Sequence, residues 1–456
     1  MSADLARMRD RMVTEVTAGT QPISDMVAEA LRVVPRHLFL PGVPAELAYR
    51  DDAIVTRRDP DGQPTSSSSQ PTIMAIMLDQ LGLEPGQRVL EIGAGTGYNA
   101  ALMKYLVGPA GTVVTVDLDD DVAREAAAHL AAAGYPDVTV VAGDGAAGYP
   151  ADVPYDRVIA TVGVSDLAPA WLDQLEPAGR IVVPLDLRGS QRSVAFERQP
   201  AAPGAWRSRS VIPCGFMRMR GSLAGAERTR AAGEHGELAL TLPDSRPVDV
   251  NALVRALQEP GGPAAEQATR VLTGPAQLFD GLGLWLALHE PRMGVLSETG
   301  EPQAMALIRA PGRVRDQHVT AGIFDTGGFA VLARPDGYPA GTEGAGPRAA
   351  EWPGKRGTRA PAPPFELSVL GYGPDGPALA AELAALIEAW DAAGRPGARN
   401  VGILAFPRPA AGDPGPGPAP EPGPGAAAPG DVIIARPHTT FVVTMLGQAT
   451  PTASAP

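Results

Sequence analysis

The chain has 456 residues, and hydrophobic cores stop growing at about 250–300 residues, so two domains are expected. A formal net charge of −13 opposes phosphate backbones and anionic bilayers, which argues against a nucleic-acid or membrane partner. Cys214 is the single cysteine, so no intramolecular disulfide or cysteine-rich metal centre can form, and no metal is expected. No apolar run approaches the ~20 residues of a bilayer span, and Met1 to Glu15 is too charged for a secretion signal. The expectation is a cytoplasmic protein.

From Leu5 to Leu38, Met12, Val16, Met26, Val27, Ala30, Leu31 and Val34 recur at helical spacing, with Ser24 and Asp25 placed to cap the second segment. An irregular polar stretch is expected from there to Ser69, then a helix from Ile73 to Leu81. A regular alternation follows. Strands are expected at Arg88–Ile92, Thr112–Val116, Val138–Val141, Asp156–Ala160 and Arg180–Val183. Helices are expected at Tyr98–Leu106, Val122–Ala133 and Leu167–Leu175. Strands alternating with helices predict a doubly wound parallel sheet of Rossmann type, an α/β fold.

After Gly221 the composition changes. Strands at Leu238–Leu242 and Glu366–Leu370, a hairpin over Gly322–Leu332 and helices at Val248–Leu257, Ala276–Leu288 and Leu379–Ala392 predict an α+β accessory domain. A Pro/Gly/Ala tract from Pro407 to Gly430 cannot bury a core and reads as an insertion, ahead of a β-like run at Phe441–Leu446. The expected organisation is N-terminal helices and a substrate-side loop over 1–70, a donor-binding domain over 71–225, and the accessory domain over 233–446 with its insertion at 407–430.

The most informative segment is Val89-Leu90-Glu91-Ile92-Gly93-Ala94-Gly95-Thr96-Gly97. Alternating glycines would serve any tight strand-to-helix turn, and they also let backbone approach a ligand closely. Asp117 closes the second strand 20 residues after Gly97, where an acidic side chain meets a ribose hydroxyl, and Leu118 follows it. Asp144 and Gly145 close the third strand, where the carboxylate can meet an adenine amino group. The Gly-x-Gly-x-Gly spacing differs from the Gly-x-Gly-x-x-Gly of pyrophosphate-binding loops. Preceded by Glu91, the loop suits a ligand with a cationic amino-acid tail and no phosphate, which S-adenosylmethionine fits. The expected donor contacts are Glu91, Ile92, Gly93, Ala94, Gly95, Thr96, Gly97, Asp117, Leu118, Asp144 and Gly145.

Several landmarks resemble the protein-L-isoaspartate O-methyltransferase family. They are Val34-Pro35-Arg36-His37-Leu38-Phe39, Ala48-Tyr49-Arg50-Asp51-Asp52, Ser69-Gln70-Pro71, Val89 to Tyr98, Gly143-Asp144-Gly145, Pro154 to Ile159, Leu172 to Leu175 and Arg180 to Pro184. The resemblance covers under half of the chain. It implies an S-adenosylmethionine-dependent carboxyl O-methyltransferase, with Ser69 beside the transferring methyl group and Ser67, Ser68 and Gln70 near the acceptor. Two departures stand out: the chain runs over two hundred residues past Gly221, and Thr72 follows Gln70-Pro71 where an aromatic residue is common. These look like a divergent actinobacterial branch acting on ribosomally synthesised peptides such as lanthipeptides, graspetides and lasso peptides. That likeness implies a precursor-peptide partner whose Asp is esterified, the ester then closing to an aspartimide that hydrolyses to isoaspartate. Repair of isoaspartate in damaged proteins is the alternative. Carboxylate methylation needs no general base, since an Asp side chain is already ionised at neutral pH, and no His or Lys stands near the loops.

Overall fold

The computed structural model describes residues 2–446 apart from 61, 203, 226–228, 234–237, 260, 299–308, 315–316, 336–363 and 409–429. Helices Ser2–Thr17 and Asp25–Val33 open the chain, the second capped by Ser24, whose hydroxyl accepts from the Val27 N–H. The polar stretch expected to be irregular instead forms a hairpin of β1 (Ile54–Arg58) and β2 (Pro64–Ser68), pairing Ile54 with Ser68. Helix Pro71–Leu81 follows, with Pro71 in the first helical position, where its missing N–H costs nothing.

Next come β3 (Arg88–Ile92), β4 (Thr112–Asp117), β5 (Thr139–Ala142), β6 (Tyr155–Ala160) and β7 (Leu175–Leu187), all parallel, in the spatial order β5-β4-β3-β6-β7. Along β3, Val89 faces one core while Leu90 and Ile92 face the other; on β6, Ile159 faces the first and Val158 and Ala160 the second. Both faces are therefore buried, as a parallel sheet requires. The N-terminal helices and helices Pro71–Leu81 and Tyr98–Val107 cover one face. The helix expected over Leu167–Leu175 shrinks to Pro169–Asp173, because Leu175 already enters β7 and Pro177 cannot continue a helix.

Beyond β7 the sheet turns antiparallel through β8 (Ser190–Arg198) and β9 (Trp206–Pro213). The chain then leaves to build a second, antiparallel sheet. Its strands are β10 (Thr229–Ala232), β11 (Leu238–Thr241), β12 (Ala265–Thr273), β13 (Met293–Glu298), β14 (Gly312–Val314), β15 (Gln317–Asp325), β16 (Gly328–Ala333) and β17 (Phe365–Tyr372). Their order is β10-β11-β13-β15-β16-β17-β12, with β14 beside β15. On β17, Phe365, Leu367 and Val369 meet a core under helix Gly376–Ala392, while Leu370 and Tyr372 meet a core under helix Val250–Gln258.

The last three strands correct the boundary expected for the accessory unit. β18 (Val401–Pro407), β19 (Val432–Ala435) and β20 (Thr439–Met445) return to the first sheet, with β18 pairing to β9 at Leu404–Arg207 and Ala405–Trp206. They place Val401, Ile403, Ile434, Phe441 and Val443 in the same core as Leu90 and Trp171. At ~1.5–3 kcal/mol per buried side chain, these five match the whole stability of an ordinary domain. The accessory unit is thus an insertion between β9 and β18, and cutting the chain after Gly221 would strip the donor-binding sheet. The tract expected at 407–430 falls mostly outside the described residues.

One helical segment joins the two units. Residues 275–289 are helical with a π-turn at Leu278–Leu282; Leu282, Leu286 and Ala287 face the accessory core, while Leu284 and Leu288 face the first sheet's core. A π-turn leaves carbonyls without their helical donors, and the buried Arg192 of β8 donates to those of Phe279 and Asp280, both at 3.0 Å. Leu282 is therefore core, and Trp285, half-buried, stacks on His289 at 3.9 Å.

Candidate active site

The chain runs β3-β4-β5 outward on one side of β3, then returns to place β6 on the other. Ligands of open α/β sheets bind beyond the strand ends at such a reversal, and a cleft of about 980 Å³, counting its open mouth, lies there. The tip of β3 and its loop, the tip of β4, Gly145, Thr161, the serines of β2 and the segment Phe216–Arg220 line it.

The loop conformation explains its glycines. Gly97 caps helix Tyr98–Val107 at φ +85°, and a Cβ on it would lie 3.1 Å from the Ala126 carbonyl. Gly95 sits at φ +52°, and its Cβ would lie 3.2 Å from the Ser67 carbonyl, so this glycine lets the donor loop and the serine strand touch. Asp117 locks the arrangement by accepting the Gly95 N–H at 3.0 Å and that of Asp119 at 3.2 Å. Burial raises the Asp117 pKa despite those two donors.

Glu91 lies wholly buried under the loop, accepting from Asn99 Nδ2 and Thr115 Oγ1, each at 2.7 Å. Burial pushes its pKa up to about 7, against the pull of those two donors. With both oxygens engaged inside the protein, Glu91 supports the loop and acts on a ligand through it. Asn99 keeps its Oδ1 without a partner, as do the hydroxyls of Ser68 and Tyr98; all three residues are buried and line the cleft. Unpartnered buried polar atoms are costly unless a ligand or water satisfies them. An acceptor and two hydroxyls in a cleft that Asp117 also lines match the amino-acid tail and nucleoside of S-adenosylmethionine.

Of the residues expected from sequence, Ser67, Ser68, Ser69, Glu91, Ile92, Gly93, Ala94, Gly95, Thr96, Asp117, Leu118 and Gly145 meet in the cleft. Gly97, Asp144 and Gln70 do not line it. Asp144 accepts from Ala146 N (2.9 Å) and Ser222 N (2.8 Å); burial opposes its ionisation, but those donors outweigh it and hold the pKa below the usual carboxylate range. It staples the segment after β9 to the tip of β5. Gln70 is corrected in role. Its amide donates to the buried Asp51 at 2.8 Å, and Asp51 also accepts from Thr72 N and Oγ1, both at 2.9 Å, which fixes the start of helix Pro71–Leu81. Gln70 thus positions Ser69 instead of reaching the acceptor.

Sequence reasoning missed Thr161, whose hydroxyl donates to the Gly93 carbonyl at 2.7 Å, and the wall formed by Phe216–Arg220. Topology could have found Thr161, since it follows the strand that flanks β3. The wall is held by Gln191, which accepts from Phe216 N at 2.7 Å, and by Gly163, bonded to Met217 and Met219 at 2.7 and 2.8 Å. Among the described residues, the lining holds no His or Lys. His129, outside it, packs on Phe39 and meets the Thr96 carbonyl at 3.1 Å.

Sequence comparison agrees with this geometry. Residues 7–217 match the family described as Protein-L-isoaspartate(D-aspartate) O-methyltransferase (PCMT). The chain is 38% identical over 216 residues to the protein-L-isoaspartate O-methyltransferase of Methanopyrus kandleri, using 47% of this chain and 92% of that protein. The Hyperthermus butylicus protein of that name is 36% identical over 227 residues, 48% of this chain and 91% of its own length. The Thermotoga maritima one is 41% identical over 175 residues, 38% of this chain, and the match spans only 55% of that relative. A solved protein-L-isoaspartate O-methyltransferase structure aligns with TM-score 0.45 and 23% identity, over 87% of this chain and 96% of the other. The chain therefore belongs to the protein-L-isoaspartate(D-aspartate) O-methyltransferase family and is an S-adenosylmethionine-dependent carboxyl O-methyltransferase.

Proposed function

We propose that the chain esterifies the side-chain carboxylate of an Asp in a ribosomally synthesised, cyclised precursor peptide; the following backbone amide nitrogen then attacks the ester, expels methanol and closes an aspartimide, which water opens to isoaspartate. One observation supports the choice of a carboxylate: Ser69 lines the cleft together with the donor loop, and among the described residues that line it there is no His or Lys base. An alcohol or amine acceptor would need a proton removed; a carboxylate arrives ionised. When bound, S-adenosylmethionine supplies an electrophilic methyl group. Asp117 would hold the ribose, the glycine loop would set the depth of the tail, and Ser69 would donate to one carboxylate oxygen so that the other faces the methyl group in line. Met74, Met77, Phe216 and Met217 supply apolar walls that keep water out.

The precursor-peptide substrate draws support from the accessory sheet inserted between β9 and β18, far more chain than the Methanopyrus kandleri relative needs. A second reading, isoaspartyl residues of damaged proteins, is favoured by the names of those relatives. An isoaspartyl peptide and its L-Asp twin, linear and cyclised, are incubated with labelled donor. Base-labile label on the L-Asp peptide supports the precursor reading; label on the isoaspartyl peptide alone supports repair and sinks the first.

A further inference from the structure

Among the described residues, two cations line the cleft, Arg218 and Arg220, in a chain whose net charge would otherwise repel an acidic ligand. They are not equivalent. Arg220 is committed to Asp119, with guanidinium contacts at 2.5 and 3.3 Å. Arg218 has a loose ion contact with Asp186 at 3.8 Å, forms no side-chain hydrogen bond among the described residues, and is 42% exposed. Its backbone, in contrast, is rigid. Arg218 bridges to Gly163, the flanking Met217 and Met219 bond to that same glycine, and Gln191 clasps Phe216 one step earlier. Asp186 itself is drawn away, accepting from Gly189 N, while Arg436 of the β19–β20 turn donates to the Asp186 carbonyl at 3.4 Å. A firmly mounted guanidinium with open donors at the rim of an active-site cleft is suited to a ligand carboxylate, which it grips through two parallel N–H groups.

Building on the carboxyl-methylation reading, we propose that Arg218 determines specificity by gripping a second, non-reacting carboxylate of the acceptor peptide. The reacting carboxylate is the wrong partner for it. That oxygen loses its negative charge as the ester forms, so a guanidinium there would stabilise the ground state more than the transition state and slow transfer. A neutral hydroxyl such as that of Ser69 carries a much smaller penalty. A second carboxylate keeps its charge throughout, so Arg218 contributes uniform binding, which shows in KM and leaves kcat nearly untouched. The preferred acceptor is therefore an acidic peptide, its second carboxylate being either a neighbouring acidic side chain or the chain terminus.

The test uses the full-length enzyme with three synthetic peptides: one carrying the acceptor residue beside a Glu, its Gln twin, and the Gln twin with an amidated C-terminus. Wild type and Arg218→Met are compared, with donor titration as the check that the variant folds. Loss of a charge-assisted contact predicts a KM for the Glu peptide roughly 10-fold or more higher in Arg218→Met, with kcat within about 2-fold and Arg218→Lys restoring part of the loss. The gap should close on the Gln twin if the side chain is the target, or on the amidated peptide if the terminus is. Ester formation with equal KM for wild type and Arg218→Met on every peptide overturns the inference alone. No ester on any peptide overturns the function on which it rests.

Discussion

The two ends of the cleft are finished to different degrees. At the donor end the carboxylates already have partners: Asp117 holds Gly95 and Asp119, Glu91 holds Asn99 and Thr115, and Asp144 holds Ala146 and Ser222. At the acceptor end, among the described residues, Ser69 makes no side-chain hydrogen bond and Arg218 has only its long contact with Asp186. Preorganised groups bind a fixed cofactor at little reorganisation cost, whereas open donors await a ligand that arrives and leaves each turnover. The contrast separates what the protein keeps constant from what it selects.

The sharpest way to break that contrast is through Glu91. Its folded pKa of about 7 exceeds the ordinary carboxyl value of 4.5, so between those values the folded chain keeps a proton that the unfolded chain has released. Stability therefore falls as pH rises from about 4.5 to about 7 and stays low above it. Glu91→Gln should erase that part of the profile, and urea unfolding at pH 5 and pH 8 should show wild type losing roughly 3 kcal/mol more than the variant. Identical pH profiles would place the buried charge elsewhere.

Asp117→Ala comes next. Losing the ribose contacts and the Gly95 tether should weaken donor binding about 30-fold, or about 2 kcal/mol, in calorimetry. An unchanged donor affinity would remove Asp117 from the donor site. Ser69→Ala should act in reverse, lowering turnover about 10-fold by rapid-quench assay while donor affinity stays within about 2-fold; loss of donor binding would reassign Ser69. The smallest effect belongs to Ser68→Ala. Deleting a buried hydroxyl with no partner should leave stability unchanged or raise it by under about 1 kcal/mol, and a clear destabilisation in thermal unfolding would show that the hydroxyl is satisfied internally.

The parallel half of the sheet was legible because β3, β4 and β6 are short β-branched runs, each followed by a turn and a helix, and local patterning carries that signal. The antiparallel half was not. β8 reads Ser-Gln-Arg-Ser-Val-Ala-Phe-Glu-Arg, too charged to announce a strand, and its burial comes from neighbours β7 and β9. The run at Phe441–Met445 was recognised as a strand yet assigned to the wrong sheet, because its sheet-mate β9 lies more than two hundred residues earlier and composition encodes no long-range pairing. Within the site, motif spacing pointed to the glycine loop and Asp117, and the family resemblance to the serines; Gly95, Asp117 and Ser69 line one cleft. The sequence put Gln70 near the acceptor, but proximity to Ser69 in sequence says nothing of Asp51, which claims that amide in space. It could not foresee Arg218, whose place depends on the pairing of its segment with Gly163.

A crystal structure with S-adenosylhomocysteine tests the central claim most directly. The account predicts the ribose hydroxyls on Asp117, the amino-acid tail among Asn99, Tyr98 and Ser68, and the sulfur facing Ser69. A ligand bound elsewhere, or a ribose turned away from Asp117, would contradict it.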